Sequence, residues 1–286
     1  MSVSNKSKRR GTILDEIMRY RREQLPVVMR NIPLADLRAF ASVAPPTTSF
    51  ASALKAPGVS LIAECKKASP SRGLIAPHYD PLELTASYMK AGAAAISVLT
   101  DARYFQGSLD DLRDVREMIE SSASSKPSKH PPKRVPIMRK DFIFHPYQVY
   151  EARVAGADAI LLIAAVLEDG EIASLRDLAG ELGMDALIEI HDEDELKRVT
   201  ALSPRIIGIN NRNLQTFEVD FEITARLREK IQEDVITVSE SGINSTQDVV
   251  RMRELGVDAI LVGSSLVRSK DVVTQAREFV KAGKSD

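Results

Sequence analysis

The phrase Ala155-Gly156-Ala157-Asp158-Ala159-Ile160 returns one hundred residues later as Leu255-Gly256-Val257-Asp258-Ala259-Ile260, and a shorter form, Ala91-Gly92-Ala93, precedes both. In each, a glycine closes a helix-like stretch and an apolar run starts at once, as when a C-cap leads straight into a buried strand. Working outward, strand-length apolar runs lie at 59–66, 94–100, 136–142, 157–165, 185–191, 205–210, 235–241 and 259–263. Most are almost continuously apolar, as expected for strands covered on both faces. They recur every ~28 residues between Glu64 and Gly263, room for one strand and one helix. The intervening stretches carry apolar residues at helical spacing: Leu82, Leu84, Ala86 and Met89; Leu112, Val115 and Ile119; Val249, Val250, Met252 and Leu255. Strands alternating with helices imply a parallel sheet. Eight of them favour a closed (β/α)8 TIM barrel over an open doubly wound sheet. The dinucleotide-binding form of the open sheet is further disfavoured because no G-x-G-x-x-G follows the first strand.

Two segments fall outside the repeat. Residues 12–29 read as an amphipathic helix (Ile13, Leu14, Ile17, Met18) and 34–43 as a second short one, together expected to cover one barrel mouth. Residues 121–134, SSASSKPSKHPPKR, lack apolar side chains beyond Ala123 and are expected to form a solvated loop before the third strand. Its basic charges suit an anionic partner, but a spacer is the simpler reading. Residues 1–11 are polar and basic, without the apolar stretch of a secretory signal. They read as a disordered leader, with a transit-peptide remnant as the alternative, and 12–286 as one barrel domain with its N-terminal helices. The matching location is cytoplasmic, or plastid under the alternative.

The 39 Lys and Arg against 40 Asp and Glu give a net charge of −1, which excludes a globally basic nucleic-acid binder. The lone Cys65 excludes an intramolecular disulfide framework. His78, His130 and His145 show no metal-ligand spacing, so no metal is expected. No run is long enough for an apolar membrane helix of ~18 residues.

In a barrel of this kind the chemistry sits at the C-terminal strand ends. The first strand ends in Glu64-Cys65-Lys66, the third in Met138-Arg139-Lys140-Asp141-Phe142, the fifth in Glu189-Ile190, the sixth in Asn210-Asn211-Arg212 and the seventh in Glu240-Ser241-Gly242. Alternation places Glu64 and Lys66 on one face, and Met138, Lys140 and Phe142 on one face. A charge inside an apolar strand is costly unless paired or used. Several converging on one mouth therefore indicate a functional cluster rather than rim ion pairs. The Gly and Ser residues at Ser241-Gly242 and Gly263-Ser264 suit a phosphate cradle of backbone N–H groups after strands seven and eight.

The ordered motifs LIAECKKASPSRG (61–73), SVLTDARYFQGS (97–108), MRKDFIFHPYQ (138–148), ADAILLIAAVL (157–167), LIEIHDEDEL (187–196), IGINNRNLQTFEVD (207–220), VSESGI (238–243) and VGSSL (262–266) resemble the indole-3-glycerol-phosphate synthase family over 12–267. The 121–134 loop is longer than is common in that family. The resemblance implies closure of an indole ring from 1-(2-carboxyphenylamino)-1-deoxyribulose 5-phosphate, with loss of CO₂ and water. No redox step occurs, so no cofactor is implied. The implied partner is a phosphorylated small molecule, with neither nucleic acid nor membrane, and the implied assembly is a monomer or weak homodimer.

By the same resemblance, Lys140 is the general acid at the carbonyl oxygen and Glu189 the base that draws off the ring proton. Lys66 engages the substrate's anionic groups or acts as a further acid. Glu64 orients the lysines, and Asn210 bonds the reacting hydroxyl or the anilino nitrogen. Ser69, Pro70, Phe105, Phe142, Arg212, Leu214, Glu240 and Ser241 are implied to contact substrate, the apolar ones walling the anthranilate ring, while Gly242, Gly263 and Ser264, with Ser241, hold phosphate. Cys65 is expected to face the helices, Asp141 to shape the third loop or pair with a rim cation, and His191 to stay outside the chemistry because Glu189 occupies the inward position. The nearest rival is a phosphoribosylanthranilate isomerase, expected to use a Cys base and an Asp acid; this chain offers Glu64, Lys66 and Lys140 instead. A non-catalytic phosphate-binding barrel would be expected to lack Lys66, Lys140 or Glu189, and all are present.

Overall fold

The structure is a computed structural model that describes residues 12–124 and 134–284. Eight parallel strands close into a barrel: β1 (Ser60–Cys65), β2 (Ala95–Leu99), β3 (Ile137–Lys140), β4 (Ala159–Ile163), β5 (Asp185–Ile190), β6 (Ile206–Asn210), β7 (Ile236–Glu240) and β8 (Ala259–Val262). Each pairs with its neighbours in chain order, and β1 pairs with both β2 and β8. The helices are α1 (Ile13–Asn31), α2 (Leu34–Val43), α3 (Phe50–Leu54), α4 (Pro81–Ala91), α5 (Leu109–Ser124), α6 (Pro146–Val154), α7 (Asp169–Glu181), α8 (Glu193–Thr200), α9 (Glu222–Arg228), α10 (Thr246–Glu254), α11 (Ser264–Val267) and α12 (Val272–Gly283). The eight expected strands are all present, each shorter than its apolar run.

The repeated phrase acts as a structural unit. Gly156 and Gly256 take positive φ, 90° and 72°, turning the chain out of α6 and α10. The aspartate that follows clasps the preceding strand. Asp158 N–H donates to the Ile137 carbonyl at 2.7 Å and its carboxylate accepts from Ile137 N–H at 2.8 Å. Asp258 makes the same pair with Thr237, at 2.9 and 2.7 Å. Their carbonyls then accept from Asp185 and Ser60, so each aspartate joins three successive strands, and the second carries the closure to β1.

Strand alternation divides the apolar residues into two layers. Ile62, Ala95, Met138, Ala159, Leu161, Leu187, Ile206, Val238 and Leu261 fill the barrel interior. Leu61, Ala63, Val98, Ile160, Ile188, Ile209 and Ile260 pack against the helices, and Cys65 lies among them as expected, 3.5 Å from the Thr85 hydroxyl. On the inward face, the positions after the apolar filling are Glu64, Lys140, Glu189, Asn210 and Glu240. The core therefore turns polar at the C-terminal end, two residues beyond its last hydrophobic layer.

Two expectations are corrected. The 12–29 and 34–43 helices do not cover one mouth together. α1 lies over the C-terminal mouth, whereas α2 packs against α6 on the outside. The opposite end is plugged by α3, whose Phe50, Ala51 and Leu54 join the barrel interior. Ser49 caps it, and Ala51 N–H donates to the Asp185 carboxylate at 2.9 Å. The loop expected from Ser121 begins later, because α5 runs to Ser124, and Arg134 at its far side pairs with Glu120 and with the Pro46 carbonyl. The remainder of that loop, 125–133, and the 1–11 leader lie outside the described residues. Among the described residues, no helix is long and apolar enough to cross a membrane.

Candidate active site

The C-terminal ends of the strands enclose a cavity of about 360 Å³. Every residue assigned to the site from sequence lines it: Glu64, Lys66, Ser69, Pro70, Phe105, Lys140, Phe142, Glu189, Asn210, Arg212, Leu214, Glu240, Ser241, Gly242, Gly263 and Ser264.

Its floor is an ionic cluster. Lys140 Nζ is 3.2 Å from Glu189 Oε2 and 3.0 Å from Glu240 Oε2. Lys66 Nζ is 2.5 Å from Glu64 Oε2, a charge contact rather than an aligned hydrogen bond. Burial works against the charge on Lys140, but Glu240, Glu189 and Glu64 outweigh it and hold the ammonium well above the usual lysine range. The two carboxylates on Lys140 diverge. Burial also opposes the charge on Glu189, yet Lys140, His191 and the Asn210 side chain together hold it well below the usual carboxylate range. Glu240 is dominated by burial, and Glu189 and Glu64 repel its charge, so its carboxyl is pushed up to about 7 despite Lys140. Its second oxygen, Oε1, has no hydrogen-bond partner among the described residues. Two neighbouring carboxylates with opposite shifts are the usual signature of divided acid and base duties.

Two glycines make room for this cluster. A Cβ at Gly208 would overlap Glu240 Oε1, and one at Gly263 would overlap Glu64 Oε2. The sequence reading placed Gly263 in the phosphate cradle. The closer neighbour is Glu64, so its first role is to accommodate that carboxylate.

Above the floor one wall is apolar. The rings of Phe105 and Phe142 stand 6.1 Å apart at 42°. α1 adds Ile13, Leu14 and Ile17. Phe105 is positioned by its loop, since its carbonyl accepts from Ala68 N–H at 3.2 Å. Ala68–Ser69 and Gly73–Leu74 form a small antiparallel hairpin that presents Ser69, Pro70 and Arg72. α1 is fastened by Arg21, which donates to Asp141 at 2.8 Å. Asp141 also accepts from Arg139 and Thr100, and so shapes the third loop as expected while pairing with a cation from α1.

The opposite wall carries the turns after β7 and β8. Ser241 and Gly242 both take positive φ, 68° and 92°. Gly263 leads directly into the short α11, whose first N–H groups have no acceptor within the helix. The Ser265 hydroxyl donates to the Ile243 carbonyl at 2.9 Å and ties the two turns together. Behind them Asn211, fully buried, donates to the Ser239 hydroxyl at 2.9 Å and to the Glu240 carbonyl at 3.0 Å, which fixes the strand that carries Glu240.

Sequence reasoning placed α1 over a barrel mouth but not over this one in particular, because helical spacing says that a face is buried but not against which end. It missed Arg72 and Asn244, exposed-type residues on loops. It also set His191 aside. Two positions beyond Glu189 on the same strand face, His191 places Nε2 3.4 Å from Glu189 Oε1. Strand alternation contained that signal.

A barrel of this geometry occurs in proteins of little sequence similarity. The structure of 3-hexulose-6-phosphate synthase from Salmonella typhimurium matches 78% of this chain and 98% of its own, with a TM-score of 0.61 at 13% identity, a likeness of fold alone. Sequence comparison is more specific. The family model for indole-3-glycerol phosphate synthase matches residues 14–279. The indole-3-glycerol phosphate synthase of Roseiflexus sp. (strain RS-1) is 46% identical over 271 residues, covering 94% of this chain and 98% of its own. That of Mycobacterium ulcerans (strain Agy99) is 40% identical over 273 residues, covering 96% and 95%. The chain belongs to the indole-3-glycerol phosphate synthase family, decarboxylating lyases of tryptophan biosynthesis.

Proposed function

We propose that the cavity closes the indole ring of 1-(2-carboxyphenylamino)-1-deoxyribulose 5-phosphate, releasing CO₂ and water to give indole-3-glycerol phosphate. The observation that carries the assignment of roles is Lys140 held between Glu189 and Glu240 at the foot of an aromatic wall. The anthranilate ring packs against Phe105, Phe142, Pro70 and Leu214, which brings its carboxylate-bearing carbon against the ketone. Lys140 donates a proton to the carbonyl oxygen as that carbon attacks. The carboxylate leaves as CO₂ and aromaticity is restored. The new hydroxyl then departs as water while Glu189 draws off the ring proton.

Acid and base are coupled through their ion pair. Glu189 is a weak base while Lys140 is charged beside it. Once Lys140 has given up its proton, that stabilisation is lost and Glu189 becomes the stronger base the last step needs. Glu240, with its carboxyl near neutrality, is placed to return a proton to Lys140 or to the leaving hydroxyl. Lys66, oriented by Glu64, meets the substrate's anionic groups. Asn210 bonds the reacting hydroxyl or the anilino nitrogen, with Ser69 and Arg212 as polar contacts. The turns at Ser241-Gly242 and Gly263-Ser264 hold the phosphate through backbone N–H groups. The reaction is redox-neutral and is assigned no cofactor. The enzyme is assigned to the cytoplasm as a monomer or weak homodimer.

The test is direct. The purified chain is mixed with the anilino-deoxyribulose phosphate and the appearance of indole emission is followed, against the low background of a protein without tryptophan. Emission that rises with enzyme concentration supports the reading, and none over a buffer blank refutes it.

A further inference from the structure

The steps above leave His191 unused, yet its ring lies between two carboxylates. Nδ1 is 3.1 Å from Glu195 Oε2, and Nε2 is 3.4 Å from Glu189 Oε1. The His191 backbone N–H donates to the same Glu195 oxygen at 2.8 Å. Glu195 is itself held in the first turn of α8, where its N–H donates to the capping Asp192 at 2.9 Å. The ring is largely buried, with 13% of its side chain exposed. A neutral imidazole carries one N–H and would turn a lone pair toward one of these carboxylates. Nε2 has no aligned hydrogen-bond partner among the described residues, so its approach to Glu189 is a charge contact, and only the imidazolium attracts both carboxylates.

The two oxygens of Glu189 are thus divided, Oε2 to Lys140 and Oε1 to His191. That division matters during turnover. When Lys140 delivers its proton it stops being a cation, and the charge that still faces Glu189 is that of His191. We propose that His191, clamped by Glu195, is a positioning residue that holds the Glu189 carboxylate aimed and ionised through the interval after Lys140 has discharged. The inference rests on the reading of Glu189 as the base.

The groups facing this pair are Glu195 from α8, Lys140 from β3 and Asn210 from β6, with Glu240 of β7 and Glu64 of β1 beyond Lys140. Burial disfavours the imidazolium, but Glu189 and Glu195 outweigh it and lift the His191 pKa to about 10, so the ring is charged at neutral pH. Removing that cation makes Glu189 easier to protonate, so the acid limb of the kcat–pH profile moves to higher pH.

The experiment compares the full chain with His191→Ala, His191→Gln, Glu195→Gln and Glu189→Gln. Each is assayed for kcat and KM across pH, with Tm measured in parallel. In His191→Ala, kcat falls by about 10- to 100-fold, the range for a mis-aimed catalytic group, while KM stays within about threefold. Its acid limb moves up. His191→Gln, which keeps a neutral donor, recovers part of kcat with the limb still displaced, and Glu195→Gln shifts the limb in the same direction by less. An unchanged kcat and limb in His191→Ala would overturn the proposal. So would a fall in kcat that tracks a lost Tm with an unmoved limb in both His191 variants. Glu189→Gln separates the two levels. If it turns over like wild type, the base assignment fails and this inference with it. If it is inactive while His191→Ala behaves like wild type, only the positioning role fails.

Discussion

Gly208 and Gly263 show how far single positions determine this site. Each lies where a methyl group would displace a carboxylate from the lysine-binding cluster. Gly263→Ala is therefore expected to lower kcat by about tenfold or more through Glu64, an effect of side-chain misplacement. Gly208→Ala is expected to do so through Glu240. Inorganic phosphate inhibition distinguishes this from damage to the anion cradle. In Gly208→Ala the inhibition constant should stay within about threefold while kcat falls, and a large rise in that constant would place the lesion elsewhere. At the same scale, His191 carries a pH signature in stability. Its folded pKa, about 10, lies above its ordinary value. The stabilisation is thus complete below the unfolded pKa of ~6.5 and is lost as pH rises from there through the folded value. Tm measured over that window should fall more steeply in wild type than in His191→Gln; parallel slopes would contradict it. The identities of the charged residues were legible in the sequence, because a lysine or glutamate inside an apolar strand needs a reason. The spaces that admit them were not, because a glycine's neighbour depends on tertiary packing.

At the scale of elements, α1 is only partly inferable from its own sequence. Ile13, Leu14 and Ile17 announce a buried face suited to a barrel mouth, but only the fold shows that it is the mouth holding the ionic cluster. The helix is fastened by Arg21 to Asp141, by Tyr104 donating to Glu16 at 3.1 Å and by Arg103 lying 4.4 Å over the Tyr20 ring. Asp141 is buried and keeps Arg139 when Arg21 is removed, so the third loop stays paired. Arg21→Ala should then loosen the wall and raise KM by about three- to tenfold, a cost of about 0.6–1.4 kcal/mol, with Tm changed little. An unchanged KM would show that α1 is held without Arg21. Loop exchange tests the 121–134 segment. Because Ser121 to Ser124 belong to α5 and Arg134 pairs with Glu120, the exchangeable stretch is 125–133. Its flanks, the end of α5 and the start of β3, lie at the end of the barrel away from the cavity. A short Gly/Ser replacement there should leave kcat within about threefold, since closure entropy changes slowly with loop length. A large loss of kcat at unchanged Tm would assign the loop a role in catalysis.

For the whole molecule, the division of labour follows the barrel axis. One end is closed by α3 and carries stability; the other carries ionisable groups. Phe50, fully buried in the interior, is the plug's largest side chain. Phe50→Ala should cost about 3–5 kcal/mol, the range for emptying such a site, while the surviving folded molecules keep their kcat. The barrel itself was legible because its repeat is spelled out twice, each time with a glycine and an aspartate in equivalent bonds. The plug was not, because five residues with no period of their own carry no signal until the barrel gives them a hole to fill. The proposed reaction begins at Lys140, the proton donor shared between two glutamates. Single-turnover formation of indole emission by Lys140→Met, with the variant's Tm and circular dichroism matched to wild type, tests it most directly. The rate should fall by about 10²- to 10⁴-fold, the usual loss of a general acid. A folded Lys140→Met that forms product at the wild-type rate would contradict the account.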